Sequence, residues 1–438
     1  MTGSKPLHVV LLLNNAYTAD SRSWKLAHSL STAGCEVTVV ARAADGLPTR
    51  EERDGYRIVR VAQPQVLAWL PAPALPPAQT GTGDSTTPAT PVRSSRSSRG
   101  SRSSSGVRDR VRDTVGRGAQ AGRYLLRSRA WANVISEAVG DDHVDIWQSE
   151  GLITLPVALH LRKKRAGRVV YDSRDIHLQS ARFALLPGLW RDLLARRERS
   201  WAQAADAVVT VNKPYAEYLG RTLGRPITVV FNGPLPYDPP SPPEHRFHRK
   251  LGLPPGAKVA LMLGAVVAHR GTEQAVIAIG ELPDVHLVVI GEGIAKPAIM
   301  AEAAALAYAD RIHFLPSSPP DEIPAWTASA DVAVMPIQPS TLNHRLTTPT
   351  RLFDAMGAGV PVVASDLPGM AEIVRETGIG VLVDPTSPAA IAAGIREILE
   401  APPDRRATYR AACLAAARGP YAWERGVERF LDLYRSLG

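Results

Sequence analysis

His8-Val-Val-Leu-Leu-Leu13 leads into a polar turn from Asn14 to Asp20, an amphipathic stretch from about Ser21 to Thr32, Gly34, and a second apolar run, Glu36-Val-Thr-Val-Val40. Runs that are apolar at nearly every position belong in a parallel sheet covered by helices on both faces. A polar turn into a helix, with glycine at the helix exit, sets the register of a βαβ unit. Outward from this unit the alternation continues. A third strand is expected near Arg57 to Val61 and others at 144–147, 168–171, 207–211 and 227–231, with helices at 155–164, 190–204 and 214–223. These complete one doubly wound domain. Six prolines then fall between Pro234 and Pro243, a composition suited to an extended linker. Beyond it the alternation restarts, with strands expected at 259–263, 285–290, 312–315, 332–335, 360–364 and 380–383 and helices at 272–279, 296–307 and 352–357. Two such sheets in series place a ligand site between them, beyond the carboxyl ends of the strands.

The chain has 438 residues, 45% hydrophobic and 21% charged, a balance that supports sizeable cores. Its net charge of +9 is local: eleven arginines from Arg93 to Arg129 face only Asp109 and Asp113, a surplus equal to that of the whole chain. The folded body is therefore electrically balanced, and nucleic-acid binding is not expected of it. From about Pro64 to Gly106 the sequence is Pro-rich, then Gly/Thr-rich, then Ser/Arg-rich, and cannot bury enough surface to order itself. The basic run could touch anionic lipid, although a solvated linker accounts for it as well. Cys35 and Cys413 are the only cysteines and stand in no metal-ligand spacing. No apolar run is long enough for a membrane span, so a cytoplasmic protein is expected, with the basic insertion as its one contact to the inner face of a membrane.

The segment Thr348-Pro-Thr-Arg-Leu-Phe-Asp-Ala-Met-Gly-Ala-Gly-Val-Pro-Val-Val-Ala-Ser365 carries the sharpest chemistry. A helix beginning at Thr350 offers free N–H groups and a positive dipole end to an anion. Arg351 adds a fork for phosphate oxygens, and Asp354 an acceptor for hydroxyls. Leu263-Gly-Ala-Val-Val-Ala-His-Arg-Gly-Thr272 is a strand, a polar loop and a helix start, and Gly291-Glu-Gly293 closes another strand. Taken alone, Arg270-Gly271 is equally an exposed loop, and Gly-x-Gly a common turn.

Together these segments resemble the donor-binding elements of GT4-type glycosyltransferases, over about residues 1–63 and 124–438. The resemblance implies an α/β GT-B fold, two doubly wound Rossmann-like domains facing an interdomain cleft. It divides the chain into an acceptor-side domain over 1–236, carrying the 64–106 insertion, a linker over 237–246, a nucleotide-sugar-binding domain over 247–418, and a helix over 419–438 that crosses back to the first domain. The function implied is transfer of a sugar from a nucleotide-diphosphate sugar to a small-molecule, glycan or lipid-linked acceptor, with retention and without a metal or other cofactor. On the donor side the matching positions are Gly264, Arg270, Gly291, Thr348, Thr350, Arg351 and Asp354. On the acceptor side they are Asn14, Asn15, Arg22 and His177. Asn232-Gly233 matches an interdomain pair in the family and is by itself a turn signal.

Two positions depart from the family. In Val170-Tyr-Asp-Ser-Arg-Asp-Ile-His177, Arg174 stands where many members have a His, and a guanidinium cannot act as a general base. Asp172, Arg174 and Asp175 are then the candidates around the reacting groups. The first member of the family's acidic pair is replaced by Leu346, with Asp354 as the second. These departures keep two alternatives open: an epimerase or hydrolase of nucleotide sugars on the same scaffold, and a binding protein without turnover.

Overall fold

The computed structural model describes residues 6–18, 20–62, 128–180, 183, 188–241 and 243–438. The low-complexity insertion expected over 64–106, and its basic continuation to residue 127, lie outside the described residues. Strands β1 (His8–Leu12), β2 (Glu36–Arg42), β3 (Arg50–Arg53), β4 (Tyr56–Val61), β5 (Ile146–Glu150), β6 (Arg168–Ser173), β7 (Ala207–Thr210) and β8 (Thr228–Val229) form the first sheet. Its order is β3-β4-β2-β1-β5-β6-β7-β8. Pairing is parallel throughout except at the edge, where β3 runs antiparallel to β4. The second sheet, of β9 (Lys258–Leu263), β10 (Val285–Ile290), β11 (Ile312–Leu315), β12 (Val332–Met335), β13 (Val362–Ser365) and β14 (Gly380–Val383), is wholly parallel. Its order β11-β10-β9-β12-β13-β14 reverses at β9, which makes the end of β9 the switch point where ligands collect.

The continuous apolar character of β1 has its reason in the layers on either side. Val10 and Leu12 enter a core with Leu155, Ala158 and Leu161 of the helix Leu155–Arg165. Val9, Leu11 and Leu13 face the other way, into a core with Leu26, Ala27 and Leu30 of the helix Ser21–Thr32. That second core is closed by the last helix, Trp423–Leu437, which contributes Trp423, Val427, Phe430 and Tyr434. The C-terminal helix is thus part of the first domain's core although it follows the second domain in sequence.

The two domains meet at a short helix, Leu342–Leu346, not anticipated from sequence. Leu342 and Leu346 pack against the first domain's core. Between them Asn343 is buried, accepting from the Ile176 N–H (2.8 Å) and donating to Asp175 (3.0 Å), with the Tyr215 hydroxyl 2.7 Å from its Oδ1. Asn212 reaches across in the other direction, donating to the Leu346 carbonyl (2.8 Å) and to the Thr348 hydroxyl (3.0 Å). Asn232-Gly233 is not a turn of positive φ. Gly233 is required by close approach, since a Cβ there would lie 1.9 Å from the Tyr421 carbonyl oxygen.

Candidate active site

A cleft of about 620 Å³ opens between the domains at the carboxyl ends of both sheets. From the second domain its wall is built by the turn after β9, the loop to Arg270, and the start of the helix Thr350–Ala358. Gly264 has φ +120 and Gly291 φ +155, and a Cβ on Gly291 would lie 1.8 Å from the Gly264 carbonyl oxygen. The ends of β9 and β10 therefore interlock backbone to backbone, an approach that needs glycine. Gly271 does the same for the loop, because its Cβ would meet the Pro336 carbonyl oxygen at 2.0 Å. The Gln338 N–H donates to the His269 carbonyl at 3.0 Å, so the loop is braced on both sides of Arg270. Arg270 itself lines the cleft and makes no side-chain hydrogen bond or ion pair among the described residues.

The helix Thr350–Ala358 begins at Pro349 with no side chain capping its first N–H groups. These unsatisfied donors and the dipole of the helix face the cleft beside Thr350 and Arg351. Arg351 Nη1 lies 2.7 Å from Asp354 one turn on, a partly exposed pair. Asp354 itself does not line the cleft, and neither does Gly291, whose part is to shape the Gly264 turn. Thr348 lines the cleft, but its hydroxyl is committed: it donates to the Gly369 carbonyl at 2.6 Å and accepts from Asn212. Asn232 donates to the Thr350 hydroxyl at 2.9 Å, while its own buried Oδ1 has no partner.

The first domain's wall is a buried network of charges. Arg174 lines the cleft, and its guanidinium is met by Asp20 at 2.8 Å, by Glu150, by Asp172 at 3.6 Å, and by the Ser23 hydroxyl at 2.9 Å. Arg22 pairs with the fully buried Asp172 at 3.0 Å and donates to the Val230 carbonyl at 3.1 Å. Its guanidinium also lies 5.9 Å from the Trp423 ring and 5.7 Å from Phe430, tying the cleft wall to the last helix. Asp20 caps the helix Ser21–Thr32. Burial works against its ionisation, and Arg174, the Ser23 N–H and Asn15 overcome this, holding it at about 2. Glu150 goes the other way: burial pushes it up to about 7, against the pull of Arg174. Behind it Tyr434 donates to Gln148, and Gln148 donates to Glu150 at 2.7 Å.

Of the residues expected at the site, Asn15, Arg22, Arg174, Asp175, Gly264, Arg270, Thr348, Thr350 and Arg351 line one cleft. Asn14, Asp172 and His177 do not. His177 sits in a short helical turn and its Nε2 accepts from the Leu152 N–H at 3.2 Å. Burial lowers its pKa, so the ring stays neutral. Asn15 is a loop brace, accepting from the Tyr17 N–H at 2.8 Å and donating to Asp20 at 2.9 Å.

Sequence reasoning missed Glu150 and Lys25. Lys25 is buried with no carboxylate partner, donates to the Gly233 carbonyl at 2.6 Å, and lies 4.6 Å from the Trp423 ring; burial draws its pKa down to about 7. A lysine inside an amphipathic helix ordinarily reads as a solvated residue, so nothing in the sequence singles it out. Among the described residues no group of three or more His, Cys, Asp and Glu is placed to hold a metal ion, and no helix is long and apolar enough to cross a membrane.

Residues 243–413 match the family described as Glycosyl transferases group 1. A D-inositol 3-phosphate glycosyltransferase of Thermobispora bispora is 31% identical over 206 residues, 44% of this chain and 46% of that protein. A 2-deoxystreptamine glucosyltransferase of Streptomyces kanamyceticus is 29% identical over 229 residues, 50% of this chain and 58% of that protein. The chain thus spans about half the length of the relatives it matches. Among solved structures, sucrose-phosphate synthase from Thermosynechococcus elongatus superimposes with a TM-score of 0.69 at 16% identity, over 98% of this chain and 99% of that one. Anabaena HepE in complex with UDP and glucose superimposes with a TM-score of 0.66 at 15% identity, over 98% of this chain and 100% of that one. Through its second domain the chain belongs to the group 1 glycosyl transferases, and as a whole it carries the GT-B fold.

Proposed function

We propose that the protein transfers a sugar from a nucleotide-diphosphate sugar to an acceptor hydroxyl at the interdomain cleft. The observation that carries this reading is the convergence of an unpartnered Arg270, Arg351 and the uncapped start of the helix Thr350–Ala358 on one wall of the cleft. Backbone N–H groups at a helix start and a guanidinium fork are the donors that a diphosphate needs. The glycine turn at Gly264 leaves room for the donor to approach the backbone. Sequence relatives named as glycosyltransferases, and a structural neighbour bound to UDP and glucose, support the same choice.

In this reading the departing diphosphate is stabilised by Arg270, Arg351 and the helix dipole, without a metal ion, and the anomeric configuration is retained. The buried Oδ1 of Asn232 is an acceptor without a donor and takes a ligand hydroxyl. No proton-abstracting role falls to Arg174, whose guanidinium is held by three carboxylates.

The test is a thermal-shift screen against UDP, GDP, ADP and dTDP, followed by nucleotide release with and without acceptors, in the presence of EDTA. A ligand at 100 times its Kd stabilises the fold by about 2.7 kcal/mol. Selective stabilisation by one nucleotide, and acceptor-dependent release insensitive to EDTA, is the expected result. No stabilisation by any of the four at millimolar concentration would end the donor-site assignment. Release of nucleotide without an acceptor would instead favour a hydrolase.

A further inference from the structure

A second cavity of about 270 Å³ lies next to the cleft and shares Thr18 and Asp20 with it. Tyr17 and Trp24 of the first domain line it, and Pro320 and Asp321 of the second domain close it, so it forms only where the two domains meet. Its placement beside Asp20 puts it on the side of the cleft away from Arg270 and the helix start, beyond the space that a nucleotide sugar would fill.

The charges around this end are already matched. Arg174 faces Asp20, Glu150 and Asp172, and Arg22 faces Asp172. Arg53, which lines the second cavity, donates to Glu51 through both Nε and Nη2, at 3.1 and 2.6 Å. Among the described residues, every guanidinium on the first-domain side of either cavity therefore already faces a carboxylate. Asp321 and Asp175 add negative charge, and both are exposed. An anionic group placed here would meet like charge with no free cation to receive it. What the second cavity does offer is an indole surface at Trp24, the buried Tyr17 ring, and hydrogen-bonding groups at its rim. Flat apolar faces with polar edges suit the ring of a sugar, whose C–H face packs on an aromatic and whose hydroxyls bond at the margin.

We infer that the second cavity is a subsite for an uncharged sugar ring, and that the acceptor is a glycan of at least two rings. Its reacting ring lies at Asp175 and Arg174, and the next ring sits on Trp24. This rests on the proposed transfer reaction, because it assumes that the donor occupies the second domain's wall.

Ligand-detected NMR and calorimetry on the full chain, saturated with whichever nucleotide stabilises it, test the inference. The probes are glucose, glucose 6-phosphate, and the disaccharides maltose, cellobiose, gentiobiose, lactose and mannobiose. At least one disaccharide is expected to bind about tenfold more tightly than glucose or glucose 6-phosphate, a difference worth one factor of ten in Kd. Trp24→Ala should remove that preference, and Asp321→Ala should reduce it, while nucleotide affinity stays as in the unmodified chain. Binding of no disaccharide, preference for glucose 6-phosphate, or a preference that survives Trp24→Ala overturns the inference and leaves nucleotide binding standing. Loss of nucleotide binding in the unmodified chain is a separate result, and it overturns the transfer reading itself.

Discussion

Arg270→Ala separates ligand binding from folding more cleanly than any other change at the cleft. The loop that carries Arg270 is held by backbone: Gly271 against Pro336, and the His269 carbonyl accepting from the Gln338 N–H. None of these contacts uses the Arg270 side chain, so truncation should alter stability by no more than about 0.5 kcal/mol. The lost contact is a charge-assisted hydrogen bond to phosphate, about 1.5–3 kcal/mol for a fully formed one. Arg270 is half-buried, and partial exposure places the expected loss at the lower end, an increase of about 10–30-fold in Kd for the nucleoside diphosphate. The control is the matching nucleoside, which lacks phosphate and should bind both proteins alike. Calorimetric titration of each ligand into each protein gives the full cycle. If the variant weakens nucleoside and diphosphate equally, or neither, then Arg270 does not touch phosphate and the donor wall has been assigned to the wrong residues.

Gly291→Ala should cost both stability and nucleotide affinity, because a Cβ 1.8 Å from the Gly264 carbonyl forces the β9 and β10 ends apart; urea melts and the same titration read the two losses. Asn343→Ala leaves the Ile176 N–H and the Tyr215 hydroxyl without partners inside the interdomain contact, at about 1–3 kcal/mol each. Denaturation of this variant should begin at lower urea, and an unchanged midpoint would mean that the domains are not held together there. Glu198 is buried with the Tyr171 hydroxyl as donor (2.8 Å), and burial raises it from 4.5 to about 7. The folded protein then binds more protons than the unfolded chain between those values, so stability should fall as pH rises from about 5 to 8, by up to about 3 kcal/mol from this residue. Glu150 contributes in the same direction, and Glu198→Gln should flatten the decline without abolishing it, as measured by urea melts at both ends of the range.

The sheets were legible because their strands are buried on both faces. Val9 to Leu13 alternates between two cores, each covered by helices, and a sequence that must satisfy both sides cannot hide its pattern. The edge strand Arg50-Glu-Glu-Arg53 was missed for the converse reason. Its four residues are all charged, it packs no core, and only the Asp54-Gly55 turn, with φ 49 and 80, marks the hairpin. The helix Leu342–Leu346 was missed because its partner surface belongs to the other domain, which no local periodicity reports. Leu346, a departure from the family in sequence, has a packing role in the structure: it is seated against the first domain's core. The donor wall was readable because glycines and a helix start leave local signatures. The acceptor wall was not, since its charges come from β5, β6 and the start of the helix Ser21–Thr32, 150 residues apart in the case of Arg22 and Asp172.

That distance explains why arginines on the two walls have opposite fates. Asp172 is fully buried at the end of β6, in a sheet whose neighbours supply no donor of their own charge, and a carboxylate in that position must acquire a cation or a proton. Arg22 and Arg174 supply the cations, and Glu150, with burial raising it to about 7, meets the same demand by favouring its protonated form. These guanidiniums are consumed in making the wall rather than in holding a ligand. On the facing wall no buried carboxylate makes that demand: Arg270 is unpartnered and Arg351 shares only a partly exposed pair with Asp354. The cleft is therefore polarised, with cations free to meet phosphate on the second domain and committed elsewhere on the first. A substrate bearing phosphate at one end and uncharged hydroxyls at the other can enter such a cleft in only one orientation, and that orientation places its sugar toward Asp175 and Arg174.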